Sequence, residues 1–204
     1  MSAGKRSVDL LMALAGGVLL WPLLLVVALA VWLCDGRPVL FGSERMRTPE
    51  HPFILWKFRT MTPDAHDHGV SGGDKAGRIT RLGRRLRRSR LDELPQLWNL
   101  LRGDISVVGP RPPLRRYVEA YPQLYARILR CRPGLTGLAT VLFHRREAAL
   151  LAPCRSPEET ERIYRTRCLP VKARLDLRYA ARRGLGLDLL IVARTFLPAR
   201  RRRE

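Results

Sequence analysis

Lysine is scarce in this 204-residue chain: only Lys5, Lys57, Lys75 and Lys172 stand among 38 basic residues, the rest being arginine. Acids are scarce too, 18 in all, which leaves a formal charge of +20. None of that excess lies in residues 1–36, where Lys5 and Arg6 balance Asp9 and Asp35. A field of that sign attracts polyanions: nucleic acid, anionic headgroups or phosphorylated metabolites. The arginine bias suits bidentate phosphate recognition, and a GC-rich genome explains it equally well. Aromatic residues are few and are not interleaved with the arginines, as a single-strand nucleic-acid binder requires. The four cysteines (34, 131, 154 and 168) show no CxxC spacing. This excludes a zinc-finger pattern or a disulfide framework and reads as reduced thiols of a cytosolic compartment. His66-Asp67-His68 sits without ligand partners in a Gly/Asp-rich stretch and reads as a solvated loop.

Charge is missing altogether from Leu10 to Cys34, 25 residues, which is long enough to span a bilayer at ~1.5 Å per residue. The run is too long for a cleavable signal peptide, and no small-residue cleavage site follows it. Pro22 falls near its middle, and basic residues flank both ends, Lys5 and Arg6 before, Arg37, Arg45 and Arg47 after. Basic flanks favour the cytoplasmic side. A straight span and a re-entrant hairpin bent at Trp21-Pro22 both remain open, and the symmetric flanks favour the hairpin. Each half would reach ~18 Å, about one leaflet. The expected division is an anchor over 1–36 and a cytosolic domain over 37–204.

Val39–Arg45 and Phe53–Met61 are β-type runs around a turn-rich connection and read as a hairpin. Ile79, Leu82 and Leu86 then recur at helical spacing among seven arginines and no acid between Arg78 and Arg90. That is a basic amphipathic helix suited to an anionic membrane surface, or an ordinary solvated helix face. Directly after it comes Ser89-Arg90-Leu91-Asp92-Glu93-Leu94-Pro95. Proline is tolerated in the first helical turn, so a second helix should start at about Leu91–Asp92. The helix dipole would then favour ionised acids at positions 92 and 93. On these residues alone, Asp92 as an N-cap explains the pattern as well as chemistry does.

Asp104–Val108 reads as a short strand running into Gly109-Pro110-Arg111-Pro112-Pro113, a rigid loop that presents one arginine. Arg132-Pro133-Gly134-Leu135-Thr136-Gly137 is a second rigid loop. Helical patterns follow at roughly 157–168, 171–183 and 187–196, and Arg200–Arg203 reads as a charged tail.

Taken in order, Lys57-Phe58-Arg59-Thr60-Met61, Leu91–Asn99, Gly103–Pro112 and Arg132–Gly137 resemble the bacterial sugar transferases, the monotopic polyprenyl-phosphate phosphoglycosyl transferases, in their minimal form. The resemblance implies an α+β, mostly helical fold. It combines a re-entrant membrane helix-hairpin with a small cytosolic membrane-surface domain built of a β-hairpin and amphipathic helices. It implies residence at the bacterial inner membrane and Mg²⁺-dependent transfer of a sugar 1-phosphate from a UDP-sugar to polyprenyl (undecaprenyl) phosphate, with release of UMP. It casts Asp92 as nucleophile and Glu93 as catalytic and Mg²⁺-binding. Lys57, Arg59, Arg88, Arg111, Arg145 and Asp176 become phosphate- or substrate-binding candidates. The implied partners are the UDP-sugar, the polyprenyl phosphate and anionic lipids, not nucleic acid; a homodimer is compatible. Two departures stand out. The family's Trp-Ala-Gln-Val-Asn-Gly-Arg is here Leu138–Arg145, which matches Arg145 only after a one-residue shift, and Asp176 keeps only Tyr179 of a tyrosine pair. The competing readings are a membrane-tethered basic nucleic-acid binder and a non-catalytic scaffold in which Asp92 only caps a helix.

Overall fold

The computed structural model describes residues 3–64, 70 and 72–196; His66-Asp67-His68 and Arg200–Arg203 lie outside them. Helix α1, Ala3–Asp35, uses the whole charge-free run and contains Pro22 within it. The expected division into two helices at Trp21-Pro22 is therefore replaced by one helical element. Pro22 costs a single N–H bond, and packing of Leu23, Leu24, Val27 and Val31 on the body holds the following turns. At 33 residues α1 is long and apolar enough to cross a membrane, yet one face follows the body along its length. Asp9, Ala13, Val27 and Val31 are buried, and Gly16 meets Leu97. The opposite face, including Leu11, Leu14, Val18, Leu19, Trp21 and Leu25, is exposed.

Both ends of α1 are tied to the same body. Lys5 Nζ donates to Val108 O at 2.8 Å and to Asp188 Oδ2 at 2.6 Å. Arg6 donates to the carbonyls of Leu100 and Leu101 at 2.8 and 2.7 Å. The buried carboxylate of Asp9 accepts from Ser106 Oγ and Val107 N, both at 3.0 Å. At the far end the Arg59 guanidinium donates to the carbonyls of Asp35, Gly36 and Arg37, where a helix C-terminus leaves acceptors unsatisfied. Thr80 Oγ1 donates to Asp35 Oδ2 at 2.8 Å.

The hairpin is β1, Leu40–Met46, and β2, Pro52–Phe58, antiparallel with Leu40 opposite Phe58 and Met46 opposite Pro52. The basic helix is α2, Arg81–Ser89, capped by Thr80 Oγ1 on Gly83 N at 2.8 Å. Then come a 3-10 turn at Leu91–Glu93 and α3, Gln96–Arg102. Strand β3, Ser106–Val108, pairs in parallel with β4, Gly134–Thr136, so the two rigid loops lie side by side. A Cβ on Gly134 would stand 2.1 Å from Gly109 N. Only glycine lets these backbones approach so closely.

The remaining elements are helical: α4 Arg115–Ala120, α5 Pro122–Ile128, α6 Leu138–Leu151, α7 Pro157–Ile163, a π-turn Tyr164–Cys168, α8 Leu169–Arg182 and α9 Leu185–Phe196. The late helical patterns are thus present. The stretch Leu138–Arg145, which departs from the family's motif, is helical in α6. One core gathers Met46, Tyr117, Ile128, Phe143 and Tyr164 under α4–α8. A second joins Ala13 of α1 to Leu55, Leu100, Ile105, Tyr179 and Ile191. The cysteines are free and three of the four are buried.

Gly83 gives a test of this packing. An added Cβ would sit 2.2 Å from the Thr60 carbonyl oxygen. Overpacking costs about 1–3 kcal/mol, against a helix-propensity gain of about 1 kcal/mol for Ala over Gly. Gly83→Ala should therefore lower the unfolding midpoint in detergent; a raised midpoint would contradict this contact.

Candidate active site

Asp92 and Glu93 occupy the 3-10 turn between α2 and α3, not the start of α3. Pro95 explains the difference. It has no N–H to offer the Leu91 carbonyl, which instead accepts from Leu94 N at 3.3 Å, and the chain turns in i→i+3 steps before α3 begins. Arg90, with φ 58 and ψ 17, links α2 to this turn in the left-handed region, a conformation that costs roughly 1–2 kcal/mol for an L-residue. The chain reverses there, so both acids leave the axis of α2 and face the hairpin.

The two carboxylates are treated differently. Glu93 Oε1 accepts from Lys57 Nζ of β2 at 2.7 Å and from Arg111 of the Pro-Arg-Pro loop at 2.8 Å. Burial would raise its pKa, but Arg111 and then Lys57 outweigh it and hold the group well below the carboxylate range. Asp92 is 8% exposed and makes no ion pair among the described residues. Burial raises its pKa; Lys57 and Arg87 pull the other way, and Glu93 adds to the rise. The expected helix-end stabilisation of an ionised Asp92 is thus outweighed by desolvation. Lys57 is correspondingly lowered by burial and by Arg111.

These groups stand in a cavity of about 960 Å³ lined by eleven basic and six acidic side chains. That excess suits an anionic ligand. Arg45 is pushed down to about 10 by burial and by Arg111. Facing residues come from α6 and α8. Lys172 Nζ pairs with Glu147 Oε1 at 2.6 Å, and the His144 ring hydrogen-bonds Thr140 O through Nδ1 at 2.7 Å. A carbonyl only accepts, so Nδ1 carries the proton and Nε2 keeps its lone pair. Burial lowers the His144 pKa.

Of the candidates read from sequence, Lys57, Asp92, Glu93 and Arg111 converge. Arg59 reaches the cavity wall but its guanidinium is committed to the end of α1. Arg88 and Arg145 are exposed on α2 and α6 and do not line the cavity, because their helices turn Arg87 and His144 inward instead. Asp176 also lies outside the lining. It is buried in α8 with Oδ1 lacking a hydrogen bond, and burial pushes its pKa up to about 7. Trp21 and Pro22 sit on the exposed face of α1. Sequence reading missed Thr140, His144, Glu147 and Lys172; the i, i+4, i+7 spacing of the first three was the available signal.

The donor set was weighed for a divalent cation. No three His, Cys, Asp or Glu side chains converge as a metal cluster among the described residues. Asp92 and Glu93 are adjacent, and both cation contacts of Glu93 fall on Oε1, leaving Oε2 available. Such a pair fits a magnesium ion that completes its shell with substrate phosphate and water, rather than an all-protein cage.

A doubly clamped carboxylate thus stands beside an unpaired one in a basic cavity. The chain belongs to the bacterial sugar transferase family, whose description matches residues 1–201. It is 38% identical over 196 residues to a UDP-glucose:undecaprenyl-phosphate glucose-1-phosphate transferase of Caulobacter vibrioides, covering 94% of this chain and 67% of that protein. It is 33% identical over 197 residues to a UDP-N-acetylgalactosamine-undecaprenyl-phosphate N-acetylgalactosaminephosphotransferase of Aeromonas hydrophila, covering 94% of this chain but 42% of the relative. An exopolysaccharide production protein, ExoY, of Rhizobium meliloti is 39% identical over 150 residues, covering 66% of each chain. The chain thus spans between less than half and two thirds of the length of these relatives.

Asp176 yields a prediction about pH. Its folded value of about 7 exceeds the unfolded ~3.9, so between the two the folded chain holds a proton that the unfolded chain has released. Stability therefore falls as pH rises from about 4 to about 7, by at most about 1.4 kcal/mol per unit. In Asp176→Asn the fall is removed. Thermal midpoints of variant and wild type should diverge in the variant's favour across that window and run parallel above it.

Proposed function

We propose that the protein transfers a sugar 1-phosphate from a UDP-sugar to polyprenyl phosphate, with Asp92 as nucleophile. The observation that carries this reading is the asymmetry of the two acids: Glu93 is held by Lys57 and Arg111, while Asp92 has no ion-pair partner among the described residues. An unpaired carboxylate can attack; a clamped one positions. The likeness to relatives named as UDP-sugar:undecaprenyl-phosphate transferases supports the donor and acceptor classes. Those relatives differ in their named sugars, so the donor sugar is not assigned.

In the first step an Asp92 oxygen bonds to the phosphorus that carries the sugar. The bond from that phosphorus to the bridging oxygen breaks, and its electron pair leaves with UMP. In the second step an oxygen of the lipid phosphate attacks the same phosphorus, the Asp92–phosphorus bond breaks, and the carboxylate is restored. The product is a polyprenyl-diphosphate sugar. Lys57 and Arg111 hold Glu93 ionised and lie where negative charge accumulates on the transferring group, which favours the crowded anionic transition state. Arg45 and Arg87 add positive charge to the same cavity. Magnesium, held by Glu93 with the substrate diphosphate, would supply charge neutralisation.

The same reading makes residues 1–36 a monotopic anchor and 37–204 the catalytic domain at the cytosolic face of the inner membrane. Both ends of α1 are bonded to one body, which supports a helix held on one side of the membrane with its exposed apolar face toward one leaflet.

Purified protein with Mg²⁺, polyprenyl phosphate and a panel of UDP-sugars is expected to release UMP. Asp92→Asn should lower the rate roughly a thousandfold or more. With donor alone, the intact wild-type chain should gain the mass of one phosphosugar and the variant none. Release of UDP, or full activity in the variant, would refute the reading. Because burial raises the Asp92 pKa and the nucleophile must be ionised, the rate should fall on the acid side.

A further inference from the structure

A second cavity, of about 280 Å³, lies where the start of α1 meets the start of α9 and the Arg132 loop, and shares no lining residue with the catalytic one. Lys5, Arg130, Arg132 and Arg183 line it, against the single acid Asp188. That acid is already used: it pairs with Lys5 at 2.6 Å and accepts from Tyr179 Oη at 2.7 Å. One guanidinium nitrogen of Arg183 turns inward to the carbonyl of Arg130 and to Cys131 Sγ, at 3.2 and 3.3 Å.

Arg132 is the anomaly. It is half-buried, and among the described residues its guanidinium makes no hydrogen bond or ion pair. It meets Arg6 above Gly103, where an added Cβ would lie 3.0 Å from Arg132 and 3.2 Å from Arg6. Burial, Arg6 and Arg47 together lower its pKa. Asp9 and Asp104 relieve it only in part: neither bonds it, Asp9 accepting from Ser106 and Val107 and Asp104 from Asn99 while pairing with Arg102. A desolvated cation beside like charges is costly unless an anion joins it.

The height of the cavity says which anion. Lys5 stands just before the charge-free run of α1 begins at Leu10. On the other rim Leu185, Leu189 and Leu190 of α9 are exposed. A basic pocket at the boundary between charged and apolar surface lies at headgroup level. We propose that this cavity binds the phosphate of an anionic glycerophospholipid, with Arg132 and Arg183 as its principal contacts, separately from the substrate lipid at Asp92.

The test uses the full chain in mixed micelles containing phosphatidylglycerol or phosphatidylcholine, with lipid retained per chain read by native mass spectrometry. Wild type should retain phosphatidylglycerol in preference to phosphatidylcholine. Arg132→Ala and Arg183→Ala should each weaken retention about fivefold, while the charge-matched pair of single variants Arg162→Ala and Arg167→Ala, at residues outside the cavity lining, should each change it less than twofold. Arg183 is exposed, so its variant keeps the test valid should Arg132→Ala fail to fold. Equal retention of the two lipids, equal loss in the charge-matched pair, or displacement of phosphatidylglycerol by millimolar inorganic phosphate would each overturn the proposal. The last outcome would mark a free-phosphate site. None of these outcomes bears on the role of Asp92.

Discussion

One oxygen holds the candidate catalytic cavity together. Lys57 lies 36 residues before Glu93 and Arg111 lies 18 after it, and both donate to Glu93 Oε1. Among the described residues, the hairpin, the 3-10 turn and the Pro-Arg-Pro loop have no other common contact of this kind. Removing one partner of a buried ion pair leaves an uncompensated charge and typically costs 3–5 kcal/mol. The arrangement therefore constrains all three segments at once. It also separates the two acids chemically. Lys57 and Arg111 are drawn to Glu93, and Asp92 is left buried with no ion pair among the described residues.

The rest of the fold brings those three segments into register. The parallel pairing of β3 with β4 sets the Arg111 loop against the Arg132 loop, with glycines where the backbones touch. Arg90 in the left-handed region swings the acids off the end of α2. Arg59, one residue past the end of β2, closes the carbonyl end of α1. Thus one motif, Lys57-Phe58-Arg59, serves two places: Lys57, in β2, bonds Glu93 in the cavity, and Arg59, just past the last strand residue, bonds the end of α1.

Much of this was legible in the sequence. The hairpin, the basic helix, β3 and the late helices followed from periodicity and turn residues, and Asp92, Glu93, Lys57 and Arg111 followed from the ordered motifs. What was not legible has physical causes. Pro95 correctly marked a helix start, but its missing N–H shifted that start past the acids instead of placing them at the cap. Arginine side chains are long and numerous here, and a charge pattern does not say which of two neighbours turns inward. Here Arg87 and His144 line the cavity, while Arg88 and Arg145 do not. Helix α6 has apolar residues on several sides and no clear stripe, so nothing local marked it as a helix wall of the cavity. Strand β4 is three residues long and exists only because β3 is beside it.

The one-sided burial of α1 also has a practical meaning for anyone handling the protein. Ala13, Val27 and Val31 are parts of cores shared with Leu100, Ile105, Phe58 and Leu86. Cutting the chain after residue 36 would not free a water-soluble enzyme; it would open a greasy trench across it. A detergent-free version has to keep the helix and recolour its outer face, exchanging Leu11, Leu14, Val18, Leu19, Leu25 and Val26 for polar residues while leaving the inner face untouched.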